Sequence, residues 1–223
     1  MSAFMPNFDQ LPRRLPIFPL NNVILLPGSE LPLRIFEPRY LEMVDDALKG
    51  SRLIGMIQTE QNEASLEAEE KPNLFQIGTV GRITSFTETD EGTYNIVLTG
   101  ALRFQVSTEL TTDMAFRCVK PDYTVYEADL NWPEKQTGEI NLSPEMFDII
   151  EAYFLKAKID ADMASIKQAA TTQLINTLAM SCPFTSLEKQ ALLEAHDMKK
   201  RTSVLFSLME MANLNSPKPS SLN

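Results

Sequence analysis

Residues able to do chemistry are few in this chain, and their spacing argues against catalysis. Two carboxylate pairs, Asp45-Asp46 and Glu69-Glu70, are adjacent in sequence. Acid–base work by such a pair needs burial or a charged partner to move the pKa values apart. The first pair falls on a helix surface and the second in a loop, so both read as solvated charge. Cys118 and Cys182 belong to no close-spaced thiol pair, whereas zinc and redox sites cluster their thiols. Buried, reduced thiols are the expectation. His196, the only histidine, follows a helical run and reads as packing against or capping a helix end. No Gly-x-x-x-x-Gly-Lys-Ser/Thr phosphate loop, Gly-x-Ser-x-Gly elbow or His-Glu-x-x-His zinc motif occurs. No catalytic residue, cofactor-binding residue or metal ligand is therefore assigned, and no cofactor is expected.

One cluster remains as a binding candidate: Arg34, Phe36, Glu37, Arg39 and Tyr40, around the Glu-Pro-Arg-Tyr step. Two readings stand side by side. Glu37 and Arg39 can pair locally and fix a helix start. Alternatively, Phe36 and Tyr40 can supply aromatic anchors of the kind that dominate protein interfaces.

The elements that must position this cluster follow from turn and periodicity signals. Pro27-Gly28 marks a type II turn, with short strands expected at Val23 to Leu26 and Leu31 to Ile35. Pro38 suits the first position of a helix, on which Leu41, Val44 and Leu48 share a face, and Gly50 supplies the stop. Short alternating runs follow at Arg52 to Gln58, Gly78 to Thr87, Thr93 to Leu98 and Leu102 to Val106, with a turn at Asp90, Glu91 and Gly92. This predicts a meandering antiparallel sheet or barrel. An acidic loop with five glutamates separates Gln58 from Phe75. Beyond a connector holding Trp132, helical periods take over. Ser143-Pro144-Glu145 opens one helix, and Met163, Ile166, Ala170, Leu174 and Leu178 lie on a second. Thr185 to Glu188 has capping-box spacing and opens a third. A fourth turns Met198, Leu205, Leu208 and Ala212 inward. The fold class is α+β: a β-rich domain at 1–125, a connector at 126–142, a helical bundle at 143–213 and a disordered tail at 214–223. The connector's apolar residues should strap it across both halves, with a ligand groove at their junction.

With 223 residues and 43% apolar content, the chain can bury a sizeable core. The net charge of −10 is spread over both halves, which disfavours nucleic acid because no Lys/Arg cluster is available to release phosphate counterions. No apolar run approaches the length of a membrane span, and the N-terminus lacks a signal-peptide pattern. A soluble, cytoplasmic protein is the expectation.

Four segments together resemble a known family. LPIFPLNNVILLPGSELPLRIFEPRY, GTVGRITSF, TGALRFQV and LINTLAMSCPFTSLEKQALLEAHDMKKR occur in the order found in the N-terminal, substrate-binding domain of the bacterial ATP-dependent Lon protease. The resemblance covers about Leu15 to Met211; the unusually acidic loop after Gln58 departs from it. It implies an antiparallel β-barrel-like sheet of the PUA-like type followed by a helical bundle. It also implies a non-enzymatic recognition module, because the ATPase and Ser-Lys peptidase of Lon lie beyond the matched region. Its expected partner is an unfolded polypeptide segment or a protein. RNA binding, as in other PUA-like proteins, and an adaptor role for an ATP-dependent protease are the alternatives.

Overall fold

The computed structural model describes residues 7–60, 71–131 and 141–214. Six strands form the sheet: β1 (Leu15–Pro19), β2 (Glu30–Ile35), β3 (Leu53–Thr59), β4 (Leu74–Glu88), β5 (Tyr94–Leu110) and β6 (Cys118–Asp122). Their order is β2-β5-β4-β3-β1-β6, and β6 also pairs with β5. Five strands thus close on themselves, while β2 lies outside the ring on the first half of β5. The long β5 makes this possible: Tyr94 to Thr99 pairs with β2, and Gln105 to Leu110 pairs with β6.

Successive residues of each strand point to opposite sides, and in the ring both sides are covered. Leu15, Ile17, Leu53, Ile57, Leu102 and Phe104 enter one apolar cluster. Phe18, Ile54, Met56, Ile96 and Leu98 enter another, beneath helix α1 (Pro38–Lys49).

The sheet is mixed rather than purely antiparallel, since β1 and β3 run parallel with Ile17 opposite Gly55. The chain returns between them through β2 and α1, the long crossover that parallel pairing requires. Val23 to Leu26 is not a strand. It has no ladder partner among the described residues, and its side chains are buried in two directions: Ile24 and Leu26 join the helical core, while Leu25 joins the cluster under α1. The turn after it is as expected, with Gly28 at φ 76° and the Ser29 N–H donating to Leu26 O at 3.0 Å.

Helix α1 buries Tyr40, Met43, Val44 and Ala47, so its apolar face is rotated from the Leu41, Val44, Leu48 stripe. Gly50 ends it, but with φ −121°; the left-handed residue is Arg52, at φ 61°. The C-terminal region holds α2 (Pro144–Ala157), α3 (Met163–Gln168), α4 (Thr171–Ser181), α5 (Ser186–Glu194) and α6 (Met198–Leu214). The expected second helix is therefore two. Ala169 and Ala170 are extended, with ψ 147° and 127°, although alanine favours helix. The break lets α4 bury Leu174, Ile175 and Leu178, while α3 buries nothing. Helix α6 buries Arg201, Thr202, Phe206 and Met209 as well as Met198 and Leu205, with Leu208 and Ala212 only half-buried.

Of the connector, Tyr126 packs on the helical core and Leu130 on the sheet, whereas Val125 just before it is exposed. Trp132, most of the acidic loop and the tail after Leu214 lie outside the described residues.

The capping box at α5 is complete. Glu188 Oε2 accepts from the Thr185 N–H at 2.8 Å, and Thr185 Oγ1 accepts from the Glu188 N–H at 3.3 Å. Thr185→Ala should cost about 1 kcal/mol in unfolding free energy. Urea denaturation checks this, and an unchanged midpoint would show that the box contributes nothing.

Candidate functional site

The structure sets the five candidate residues at the corner where β2 turns into α1. Ile35 is buried and anchors the end of the strand, and Phe36 immediately after it is 65% exposed. Glu37 is the N-cap residue of α1; its backbone carbonyl accepts from Tyr40 and Leu41 N–H groups. Its carboxylate does not cap but pairs with Arg39, Oε2 to Nη2 at 2.7 Å. Tyr40 points inward instead of outward. It is 7% exposed, its ring lies 4.3 Å from that of Phe18, and the Arg39 guanidinium covers it at 4.6 Å. Burial raises its phenol pKa, opposed by Arg39. Tyr40 thus supports the corner from below, leaving Phe36 as its exposed aromatic.

Arg34 reaches away from this group, to Glu91 Oε2 at 2.6 Å. Glu91 sits in the β4–β5 turn, and that contact brings a second set of residues to the corner, none of them among the sequence candidates. Phe86 on β4 is 40% exposed and meets the ring of Tyr94 edge-on at 5.0 Å. The Tyr94 hydroxyl donates to Asp45 Oδ1 on α1 at 3.1 Å. Partial burial, that hydrogen bond and the charges of Asp45 and Glu88 all raise the Tyr94 pKa. The result is an exposed surface with two accessible aromatics, Phe36 and Phe86. Its cations are already engaged: Arg34 by Glu91 and Arg39 by Glu37. Glu88 and Asp45, both near Tyr94, leave it acidic. The signal in the sequence was weak. Alternation along Thr93 to Leu98 sets Tyr94 on the same face as Ile96, but nothing local joins residue 36 to residue 86.

Three buried cations, also missed, tie the sheet and the loop after β1 to the helices and the helices to one another. Arg103 on β5 is 3% exposed; its guanidinium pairs with Asp129 in the connector at 2.8 Å and donates to Leu193 O at 2.9 Å and Ala195 O at 2.6 Å. Arg201 on α6 is 2% exposed and donates to Leu192 O at 3.0 Å and Asn176 Oδ1 at 3.2 Å. Burial pushes its pKa down to about 10, and Arg103 nearby adds to this. Lys189 donates to Met180 O and Asn22 O, each at 3.0 Å. Each buried cation therefore meets carbonyls at a helix C-terminus, α5 for the arginines and α4 for the lysine, where the helix dipole is negative. In sequence each is merely one charged residue beside apolar ones.

Cys118 and Cys182 are buried and free, and burial pushes the Cys182 thiol up to about 12, which leaves it unreactive. His196 is not packed; its side chain is largely exposed beside Asp197. A cleft of about 630 Å³ lies between the Gly28–Glu30 turn and α4, walled by Ser29, Thr172, Gln173 and Asn176. The five candidate residues do not line it. Asn176 is already occupied, donating to Ser29 Oγ at 3.3 Å. Among the described residues no group of three His, Cys, Asp or Glu is placed to hold a metal, and no helix is long and apolar enough to cross a membrane.

The sequence profile of the ATP-dependent protease La (LON) substrate-binding domain matches residues 14–211. The chain belongs to that family. It is 28% identical over 205 residues to Lon protease 2 of Myxococcus xanthus, covering 91% of this chain and 24% of that protein. It is 26% identical to the Lon protease of Anaeromyxobacter dehalogenans over the same shares. The chain thus spans about a quarter of the length of these relatives. Among solved structures, the Lon N-terminal domain protein from Xanthomonas campestris superposes with a TM-score of 0.57 at 23% identity, over 87% of this chain and 97% of that one. The N-terminal domain of the Mycobacterium avium complex Lon protease gives 0.52 at 17% identity. These likenesses place the α+β architecture within the Lon N-terminal fold, with a ring that is barrel-like but carries β2 outside it.

Proposed function

We propose that this chain is a non-catalytic recognition module that binds exposed segments of unfolded polypeptides at the β2–α1 corner. The observation that supports this reading is Phe36. It stays 65% exposed on a corner whose neighbouring charges are satisfied by one another, in a chain of the Lon substrate-binding family. An aromatic held by a rigid helix start loses little freedom on binding and can bury a large apolar area. Glu37, Arg39 and the buried Tyr40 fix its position, and Arg34 ties the corner to the β4–β5 turn. Acidic charge disfavours the RNA-binding alternative, since the formal net charge is −10.

Titration of carboxymethylated α-lactalbumin, which stays unfolded, against the labelled protein tests the reading by fluorescence anisotropy. Saturable binding is expected, and native lactalbumin should not compete. Phe36→Ser should weaken the affinity about ten-fold, as loss of an interface anchor does. Absence of saturable binding, or equal binding of the native form, would sink the proposal.

A further inference from the structure

The backbone of the β4–β5 hairpin shows which hydrogen-bonding groups at this end of the sheet are unused. In its turn the Thr89 N–H donates to Thr93 O at 2.8 Å and Thr89 O accepts from the Gly92 N–H at 2.9 Å, with Gly92 at φ 72°. This is a type I turn closed by a glycine bulge. It sets the phase of the ladder: Thr89, Thr87 and Ser85 direct their N–H and C=O groups at β5, and Phe86 and Glu88 direct theirs away. On that outer side β3 pairs only as far as Arg82, and the Ile83 N–H donates to Arg52 O at 2.9 Å as the last bond. Beyond it, no strand among the described residues covers the outer edge of β4, and Thr84 to Glu88 are all exposed.

The same phase carries over to β2. Tyr94, turned away from β4, bonds Ile35, so Leu31, Leu33 and Ile35 face β5 while Glu30, Pro32 and Arg34 face outward. The Gly100 N–H bond to Ser29 O, at 2.9 Å, agrees with this phase. Pro32, having no N–H, falls on the free edge at its centre and blunts it. Of the two edges at this end of the sheet left open by the described residues, that of β4 keeps every outward donor, whereas that of β2 lacks the one at Pro32.

Side chains decide what that edge fits. Phe86 lies opposite Ile96 and Glu88 opposite Tyr94, so both point to the α1 side, two positions apart. Glu88 and Asp45 bear on the same Tyr94 ring. The other side offers only the small hydroxyl side chains of Thr84, Ser85 and Thr87. The carboxylate at the edge also disfavours pairing with a second copy in the register that sets Glu88 opposite itself.

We propose that the outer edge of β4, from Thr84 to Glu88, accepts an extended polypeptide segment as an added strand. The segment places an apolar side chain beside Phe86 and a basic one, two positions away, beside Glu88 and Asp45. This rests on the polypeptide-recognition reading above and names the class of segment taken: apolar-x-basic in either chain direction. Affinity comes from main-chain bonds to Phe86 and Glu88, and selectivity from the alternate side chains.

The test uses a fluorescein-labelled nine-residue peptide with Phe and Lys two positions apart in a threonine background. Binding to the full chain is expected, with at least a ten-fold loss when the lysine is replaced by glutamate. N-methylation along the peptide should abolish binding at alternate positions only, the signature of a ladder. Glu88→Pro removes an outward N–H without costing a β4–β5 bond; it should fold, as circular dichroism will show, and bind at least ten-fold more weakly. If the wild type binds the peptide but N-methylation shows no period of two, strand addition is wrong while polypeptide recognition stands. If it binds carboxymethylated α-lactalbumin and not the peptide, the segment class is wrong. If it binds neither, both readings fall.

Discussion

Arg103→Met is expected to lower the unfolding free energy by about 3–5 kcal/mol, the cost of breaking one side of a buried ion pair. Arg103 and Asp129 have side chains only 4% and 12% exposed, so the carboxylate left behind has little water to turn to. The same substitution strips a donor from Leu193 O and Ala195 O at the end of α5, and from the Tyr126 ring the cation that lies 4.2 Å from its centroid. Arg103→Lys should recover only a minor part, since one ammonium cannot reach a carboxylate and two carbonyls in the planar fork that guanidinium provides. Arg103→Met with Asp129→Leu should recover more, because no charge is then left unpaired. Urea denaturation followed by circular dichroism measures all three. A single-variant loss below about 1 kcal/mol would show that the contact is incidental and that the apolar packing alone joins sheet to helices.

Gly100→Ala should cost about 3 kcal/mol, at the upper end of overpacking penalties. A methyl group at Gly100 would stand 2.2 Å from Leu26 O and 2.9 Å from Leu26 C. The obstruction is backbone, which cannot rotate aside as a side chain would. The Pro27-Gly28 turn must then lift off the sheet and lose its two bonds to Gly100, each 2.9 Å long. That turn also receives Asn176 from α4 at Ser29 Oγ, and Asn176 accepts from Arg201, so the shift is transmitted to the helices. Placed in an ordinary strand, the same change would be neutral or stabilising because alanine restricts the unfolded chain. A gain in stability on thermal denaturation would overturn this account of the close approach.

Much of the local structure was legible because it depends on near neighbours. Pro27-Gly28 makes its turn, Pro38 starts α1, Asp90 to Gly92 closes a hairpin and Thr185 caps α5 through Glu188, each by bonds within four residues. The resemblance to Lon N-terminal domains was legible too, being carried by the order of four segments. Errors began where burial competed with local preference. Val23 to Leu26 is rich in strand formers but is drawn between two cores. Ala169 and Ala170 would extend a helix alone, yet they are unwound so that α4 can seat its apolar face. Tyr40 looked like a surface anchor beside Phe36, but the turn of α1 carries it beneath Arg39 and onto Phe18.

What the sequence by itself determined was the inventory: an α+β chain with its turns and caps, and the candidate corner of Arg34, Phe36, Glu37, Arg39 and Tyr40. What only the tertiary structure decided was which distant residues share that corner and which strand edges are open. Strand pairing and ring closure are non-local, so the β4 edge near Phe86 becomes free only because β3 pairs with β4 no farther than Arg82. Likewise Arg103, Lys189 and Arg201 become buried links only because helix C-termini arrive over them. A charged residue is written the same way in a sequence whether it meets water or a carbonyl; the partner that settles the difference comes from another part of the chain.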